Sequence, residues 1–139
     1  VCCCDPAEKK QIKKKTWSWL MMSINRKRLS KKEREAIHAM FEGHCTYCGK
    51  IIQLDEMQVD HKIPLRKGGA DELENMYPSC RSCNNYKATL TIEEFREYLS
   101  RIHDRLVRDS VAYNVAERYG IVKYTPEPIV FYFEKGDQL

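Results

Sequence analysis

The chain has 139 residues, of which 42% are hydrophobic, and carries 24 Lys or Arg against 20 Asp or Glu, a net charge of +4. This length fits one domain with an arm and a modest core, and the basic composition argues against a disulfide framework. The positive charge is uneven, because residues 1–34 hold 11 basic and 3 acidic side chains whereas the remaining 105 hold 13 and 17.

The first 29 residues are predicted to form a basic N-terminal extension. Basic clusters at 9–15 and 26–28 flank a mostly apolar stretch at 17–24, which is too short to span a bilayer and is not followed by a signal-peptide cleavage site. We expect either an arm that binds DNA phosphates or a solvated extension whose apolar part packs on the domain or a partner. The extra cysteines are expected to be exposed and disordered, with lipidation as an alternative: Cys2, Cys3 and Cys4.

A helix is predicted to begin at Ser30, because Ser30 and Glu33 have the spacing of a capping box. Ile37, Met40 and Phe41 then form an apolar stripe at helical spacing, and Gly43 is expected to end the helix.

Two Cys-x-x-Cys pairs predict a structural zinc site. Cys45 and Cys48 form the first pair, and Cys80 and Cys83 form the second. Four thiolates fill the tetrahedral shell of one zinc ion and leave no open position, which suits a structural ion. Residues 49–79 are longer than the link of a short zinc ribbon, so a folded element must lie between the pairs. Disulfides and a redox pair are the alternatives, disfavoured by the basic composition and by the matching of the pairs.

Short strands are predicted at Ile51–Ile52 and at 57–59, paired about a turn at 54–56 and leading into Asp60. Asp60 and His61 are neighbours, so on a regular strand their side chains point to opposite faces. They can serve one phosphate only if the strand ends or bends at that point.

Asp60, His61 and Asn84 have the residue types that phosphodiester hydrolysis requires. A neutral imidazole can take a proton from water near neutral pH, and a divalent cation held by carboxylate and amide oxygens can stabilise the leaving oxygen. Taken singly, the same residues have simpler interpretations as turn or helix-capping residues.

Between about residues 30 and 90, a set of motif residues occurs in a fixed order together with the cysteine pairs: Val59-Asp60-His61-Lys62-Ile63-Pro64-Leu65, Gly68-Gly69, Asn75 and Cys80-Arg81-Ser82-Cys83-Asn84 with Lys87. On these residues the segment resembles an HNH endonuclease, of the kind found in bacteria, phages and prophages. The resemblance implies an α+β fold of the ββα-metal, treble-clef-like type, in which a hairpin and a helix grip one divalent ion beside a Cys4 zinc site.

The resemblance also implies a role for each motif residue. His61 would be the general base, Asp60 and Asn84 the ligands of the catalytic ion, Asn75 a brace for the loop that orients the base, and Lys87 a residue near the phosphate. Asparagine stands at the last motif position in place of histidine, and its amide oxygen suits Mg²⁺ or Mn²⁺.

The partner implied is DNA, most simply double-stranded, and the expected location is the cytoplasm. Arg66 and Lys67, in a loop next to two glycines, could contact phosphate or be solvated. Two other functions fit the same pattern: a zinc-stabilised nucleic-acid-binding module without catalysis, and a structural scaffold in a larger complex.

Beyond the motif, Thr91 is predicted to begin an amphipathic helix whose apolar face continues to Leu106, followed by a second helix at 111–119. Strands at 121–124 and 129–133 are expected to form a C-terminal β-hairpin about a Pro-Glu-Pro turn. The predicted organisation is therefore an extension, a nuclease domain, and helices with a hairpin packed on that domain, at residues 1–29, 30–90 and 91–139.

Overall fold

The computed structural model describes residues 27–136, which form short helices around one two-stranded sheet. The predictions for Cys2, Cys3 and Cys4, the basic cluster at 9–15 and the apolar stretch at 17–24 lie outside the described residues. The elements are helices α1 (Lys31–Ala39), α2 (Arg81–Lys87), α3 (Ile92–Ser100), α4 (Ile102–Asp109) and α5 (Val111–Arg118), strands β1 (Gln58–His61) and β2 (Met76–Ser79), and 3-10 helices at Leu65–Lys67, Leu73–Asn75 and Tyr132–Glu134.

Helix α1 begins as predicted. The Ser30 hydroxyl accepts from the Glu33 backbone N–H, and the Glu33 carboxylate accepts from the Ser30 N–H at 2.8 Å, so both halves of the capping box are present. The helix ends at Ala39, earlier than expected, and a turn follows it. Ile37 is fully buried, whereas Met40 is 46% exposed. The buried face of the helix is therefore shorter than the apolar stripe predicted from the sequence.

The sheet pairs β1 with β2 in antiparallel register, with Val59 opposite Pro78 and His61 opposite Met76. The predicted pairing of Ile51–Ile52 with residues 57–59 is wrong, because Ile51 makes only an isolated bridge to His44. The segment around the first cysteine pair folds back on itself, and backbone hydrogen bonds within this segment replace the predicted pairing of strands. The partner of β1 therefore comes from the residues just before the second cysteine pair.

The hydrophobic core takes side chains from both ends of the described chain. The rings of Phe95 in α3 and Phe131 near the C-terminus stack with their centroids 5.5 Å apart, and Tyr47 lies edge-on to both. These aromatic rings join the first cysteine pair, the helices and the C-terminal segment into one cluster. Its buried members are Ile37, Cys45, Tyr47, Ile52, Met57, Met76, Cys80, Phe95 and Phe131.

The predicted C-terminal β-hairpin is wrong. Residues 121–131 form no strand, and a short 3-10 helix follows them. The backbone N–H groups of Tyr132 and Phe133 donate instead to the carbonyls of Tyr47 and Thr46, at 3.0 and 3.1 Å. The alternating apolar residues of this segment therefore pack on the first cysteine pair rather than on a second strand.

The long amphipathic helix predicted from Thr91 is divided in two. Thr91 caps α3 through a complete capping box with Glu94, but the chain turns at Arg101 before α4 begins. Helix α5 agrees with the prediction, and Gly120 follows it with a φ of +71°. No helix within residues 27–136 has the length and apolar composition needed to cross a membrane.

Phe131→Ala should lower the free energy of unfolding by about 3–5 kcal/mol, because it removes a buried ring from a packed aromatic cluster. Chemical denaturation with zinc present would measure the loss. Val130→Ala is the matched control, since Val130 is 49% exposed. Equal stability of the two variants would mean that the C-terminal segment does not complete the core.

Candidate functional site

The four cysteines of the two pairs converge on one point. The Sγ atoms of Cys45, Cys48, Cys80 and Cys83 all lie within 4.8 Å of one another, and those of Cys48 and Cys80 are 3.9 Å apart. A tetrahedral ion with Zn–S bonds of about 2.3 Å separates its sulfur ligands by about 3.8 Å. The four form no disulfide. The cluster therefore has the composition and the dimensions of a structural zinc site, as predicted.

Hydrogen bonds within this cluster favour a thiolate at its buried end. The Cys83 thiol donates to the Cys45 sulfur, and backbone N–H groups near the two cysteine pairs also donate to it. These hydrogen bonds lower the pKa of Cys45 to about 4, although burial raises it. The same contact, together with burial, raises the pKa of Cys83. Thiolate is the form that binds metal, so the protein fold already stabilises one ligand.

The second cysteine pair also begins the helix that carries part of the candidate site. The Cys80 sulfur accepts from the Cys83 backbone N–H and caps α2, at an N···S distance of 3.4 Å. Asn84 and Lys87 follow on this helix. A metal ion at the cysteines would therefore fix the position of both residues.

Asp60, His61 and Asn84 line one cavity of about 320 Å³, together with Arg66. Asp60 and His61 are neighbours on β1, and the strand ends at His61. From the sequence, the strand was required to end or bend here if both side chains were to act on one phosphate. Helix α2 supplies Asn84 from the opposite side. Three of the residues predicted to act on a phosphate thus meet at one cavity.

Asp60 is held by two donors from other parts of the fold. Its Oδ2 accepts from the Tyr47 hydroxyl at 2.5 Å and lies 2.8 Å from the Lys87 Nζ. Burial, reinforced by the negative charge of Asp60, raises the pKa of Tyr47 well above its usual range, so the hydroxyl keeps its proton and donates. Both of these contacts fall on Oδ2.

Lys87 occupies a different position from the one expected. Its side chain is fully buried, and its ammonium donates to the carbonyl of His61 at 2.7 Å in addition to pairing with Asp60. A buried ammonium held in this way does not extend to a phosphate in solvent. Lys87 instead ties the end of β1 to α2.

The His61 ring is oriented by a residue that the sequence analysis did not single out. Its Nε2 lies 2.9 Å from Oδ1 of Asp71. The side chains of His61 and Asp71 are only 10% and 23% exposed. In the sequence, the only sign of this role is that Asp71 lies shortly after the two glycines of the loop.

Asn75 braces the loop between His61 and β2. Its side-chain oxygen accepts from the Ile63 N–H at 2.9 Å, and its Nδ2 donates to the carbonyls of Ile63 and Ala70 at 2.9 and 2.8 Å. Gly69 passes so close that a Cβ there would lie 1.9 Å from the Ile63 oxygen. This geometry is that of the loop brace implied by the resemblance, and it explains why glycine stands at position 69.

The two basic residues of this loop differ in their surroundings. Arg66 is exposed and lines the cavity with Asp60 and Asn84, so its guanidinium can approach a bound phosphate. Lys67 forms an ion pair with Glu94, the capping residue of α3. Of the two, Arg66 has the better position for contact with a nucleic acid.

Comparison with protein families finds that the model of the HNH endonuclease family matches residues 45–89. Those residues form an HNH endonuclease domain. The match begins at Cys45, includes the cavity and the loop, and ends just after α2. The domain has the mixed architecture expected of this family, with an antiparallel two-stranded sheet, a following helix and a four-cysteine cluster.

Comparison with solved structures finds similarity to the type II-C Cas9 enzyme from Actinomyces naeslundii, at 16% sequence identity and a TM-score of 0.46. The alignment covers 67% of this chain and 11% of the Cas9 chain, so this chain corresponds to a small part of that protein. Comparison with curated proteins finds no match.

Cys80→Ser should remove both the metal and the fold of the HNH domain, because metal binding in such sites is coupled to folding. Elemental analysis of the purified wild type should find about one zinc per chain, and the variant should contain almost none and lose its cooperative unfolding transition. Ser82→Ala, an exposed neighbour on α2, should keep both. A folded Cys80→Ser protein without zinc would contradict the structural role of the cluster.

Proposed function

We propose that the chain is a metal-dependent endonuclease that hydrolyses phosphodiester bonds in DNA. The observation that supports this most directly is the convergence of Asp60, His61 and Asn84 on one cavity within a domain that matches the HNH endonucleases. The proposed nuclease unit is residues 30–90, with residues 91–136 completing its core through Phe95 and Phe131.

The residues around the cavity suit a hard divalent cation. Asp60 Oδ1 and the amide oxygen of Asn84 would hold it, and oxygen ligands of this kind suit Mg²⁺ or Mn²⁺. When bound, such an ion would neutralise charge on the phosphate and stabilise the leaving oxygen. Two protein ligands leave most of its coordination to water and to the substrate, which is common for Mg²⁺.

His61 has the role of general base in this proposal. Its imidazole takes a proton from a water positioned in line with the leaving oxygen, and a base of this kind contributes about 10²–10⁴-fold to the rate. The Lys87 bond to the His61 carbonyl and the Asn75 bond to the Ile63 N–H hold the backbone at His61 and just after it. Arg66 is placed to bind a phosphate of the same strand.

DNA is the proposed partner because the family acts as endonucleases and because exposed basic residues adjoin the cavity. Lys27 and Arg28 line the surface on the other side of His61, and they continue the basic N-terminal sequence. Lysine and arginine neutralise backbone phosphates irrespective of base sequence. The arm therefore adds to affinity in this proposal, and the cavity performs the chemistry.

One observation favours the alternative of a binding module without catalysis. Asp60 already pairs with the buried Lys87, so part of its presence is explained by the need to neutralise that ammonium. An assay with supercoiled plasmid DNA distinguishes the nuclease from the binding module. Conversion of supercoiled plasmid to nicked or linear forms only when Mg²⁺ or Mn²⁺ is added supports the nuclease, and retention of the intact plasmid with a shift in mobility supports the binding module.

His61→Ala should lower the cleavage rate by about 10²–10⁴-fold while DNA binding and fold are kept, because the imidazole lies outside the cysteine cluster and its described hydrogen bond is to the loop residue Asp71. The substitution leaves the His61 carbonyl bond to Lys87 in place, since that bond uses the backbone. His103→Ala, which removes an imidazole elsewhere on the chain, is the control. A His61→Ala protein that cuts at nearly the wild-type rate would refute this assignment.

Brief treatment with EDTA should stop cleavage without unfolding the protein, because four thiolates retain zinc and two oxygen ligands release Mg²⁺ readily. Added Mg²⁺ or Mn²⁺ should restore cleavage. Asn84→Ala should raise the Mg²⁺ concentration for half-maximal rate by at least about 10–100-fold, since loss of a direct ligand costs no less than loss of a ligand's own partner.

Asn85→Ala is the matched control, because Asn85 lines the same cavity and should leave the metal dependence unchanged. Asp60→Asn should also weaken metal binding, and it is preferable to Asp60→Ala, which leaves the buried Lys87 facing a void. Cleavage that persists after complete removal of exchangeable metal would refute the proposed ion site.

A further inference from the structure

His61 lines two cavities: the one of about 320 Å³ that it shares with Asn84, and a second of about 490 Å³ that includes Lys27 and Arg28. Asp71 belongs to the lining of the second cavity. The Nε2 atom of His61 is therefore engaged by a residue of the cavity that Asp60 and Asn84 do not line.

Asp71 is itself held in place from two directions. Its Oδ1 faces His61, while its Oδ2 accepts from the backbone N–H of Lys27 at 2.6 Å. It also lies within the loop that Asn75 closes by binding the Ile63 and Ala70 carbonyls. A carboxylate fixed at both oxygens and on a braced loop has little freedom to turn away from the imidazole.

The charge state of Asp71 decides which nitrogen of His61 carries the proton. An ionised carboxylate is an acceptor only, so the nitrogen that faces it must be the protonated one. Nε2 therefore keeps a proton in the bond to Asp71, and the lone pair of the neutral ring is on Nδ1. Of the two nitrogens, Nδ1 is then the one whose lone pair can accept a proton.

On this basis, and resting on the function proposed above, we propose that Asp71 is a positioning residue that holds His61 in the Nε2–H tautomer, so that Nδ1 is the atom that accepts the proton of the attacking water. In the step, the water O–H bond breaks, its proton goes to Nδ1, and its oxygen forms the bond to phosphorus as the leaving oxygen departs with its electron pair. Nε2 keeps its own proton, and the carboxylate of Asp71 faces a ring that has become positive.

Asp71→Asn is the most informative variant. The asparagine oxygen can accept from the Lys27 N–H in place of Oδ2, which leaves the amide NH₂ facing Nε2. An N–H donor at that position favours the opposite tautomer, in which Nε2 is bare and Nδ1 carries the proton and cannot act as a base. Asp71→Ala removes the contact without imposing the wrong tautomer. Asn should therefore impair the enzyme at least as strongly as Ala, although it preserves the shape of the side chain.

The kinetic prediction is a fall in kcat of about 10–100-fold for Asp71→Asn, which is the size of effect that follows loss of the hydrogen-bond partner of a metal-ligating histidine. The KM for DNA should stay within about twofold, since the contact serves the transition state and not substrate binding. Glu72→Gln is the matched control: it removes the same charge from the adjacent, exposed position and should leave kcat unchanged.

The tautomer can be measured directly on the full chain without DNA. With ¹⁵N-labelled histidine, at a pH at which the ring is neutral, Nδ1 of His61 should give the signal of an unprotonated nitrogen and Nε2 that of a protonated one. Asp71→Asn should reverse the two signals, and Glu72→Gln should not. His61→Ala identifies the resonances, and unchanged spectra elsewhere establish that the variants are folded.

The tautomer and the rate can each overturn the proposal. It is wrong if Nε2 is unprotonated in the wild type, if Asp71→Asn leaves the tautomer unchanged, or if the tautomer reverses while kcat is unaffected. Failure of the proposed function gives a different result: the wild type then cuts no DNA under any metal condition. In that case a wild-type Nε2–H tautomer lost in Asp71→Asn would still support Asp71 as the residue that positions the ring.

Discussion

The four-cysteine cluster is the constraint on which the position of the candidate site depends. It joins the turn at Cys45 and Cys48 to the first turn of α2, where Cys80 caps the helix. The described core is small and consists of nine buried hydrophobic residues, two of them ligand cysteines. Small domains gain much of their stability from such metal sites, because the free energy of metal binding becomes folding free energy. Since Asn84 lies on α2, the same cluster sets the position of this proposed cation ligand relative to β1.

The buried pair of Asp60 and Lys87 is the second determinant of the site. Both side chains are almost completely removed from solvent, and losing one partner of such a pair costs about 3–5 kcal/mol because the other charge is left uncompensated. Tyr47, placed between the first two cysteines, adds a third group to this network. Asp60 is thus both a structural residue and the candidate ligand of the catalytic ion. The contacts to Tyr47 and Lys87 both fall on its Oδ2, and the proposed cation would be bound by Oδ1.

The loop from Ile63 to Asn75 connects these features to His61, the proposed base. Asn75 closes the loop with three hydrogen bonds, and Gly69 allows the backbone to pass where any side chain would collide with the Ile63 carbonyl. The loop in turn presents Asp71 to His61. The side-chain bond to Asp71 therefore orients the imidazole, and bonds between the Asn75 side chain and the backbone hold the loop that carries Asp71.

Features that depend on short spacings could be predicted from the sequence. They are the two Cys-x-x-Cys pairs, the capping boxes at Ser30 and Thr91, and the adjacency of Asp60 and His61. Each involves residues a few positions apart, and the chain itself limits the distance between their backbones. The HNH domain was recognisable for the same reason, since its motif is a set of such spacings in a fixed order.

Only the tertiary structure decided which distant segments meet. The partner of β1 is β2 and not the nearer Ile51–Ile52, and Phe131 enters the core through a segment without strands. Lys87 is buried against Asp60, and Asp71 reaches His61 across the loop. Alternating apolar residues fit a hairpin or an irregular packed segment equally well, and charged residues fit a solvated surface or a buried pair. The choice depends on burial and on the available partners, which local sequence does not specify.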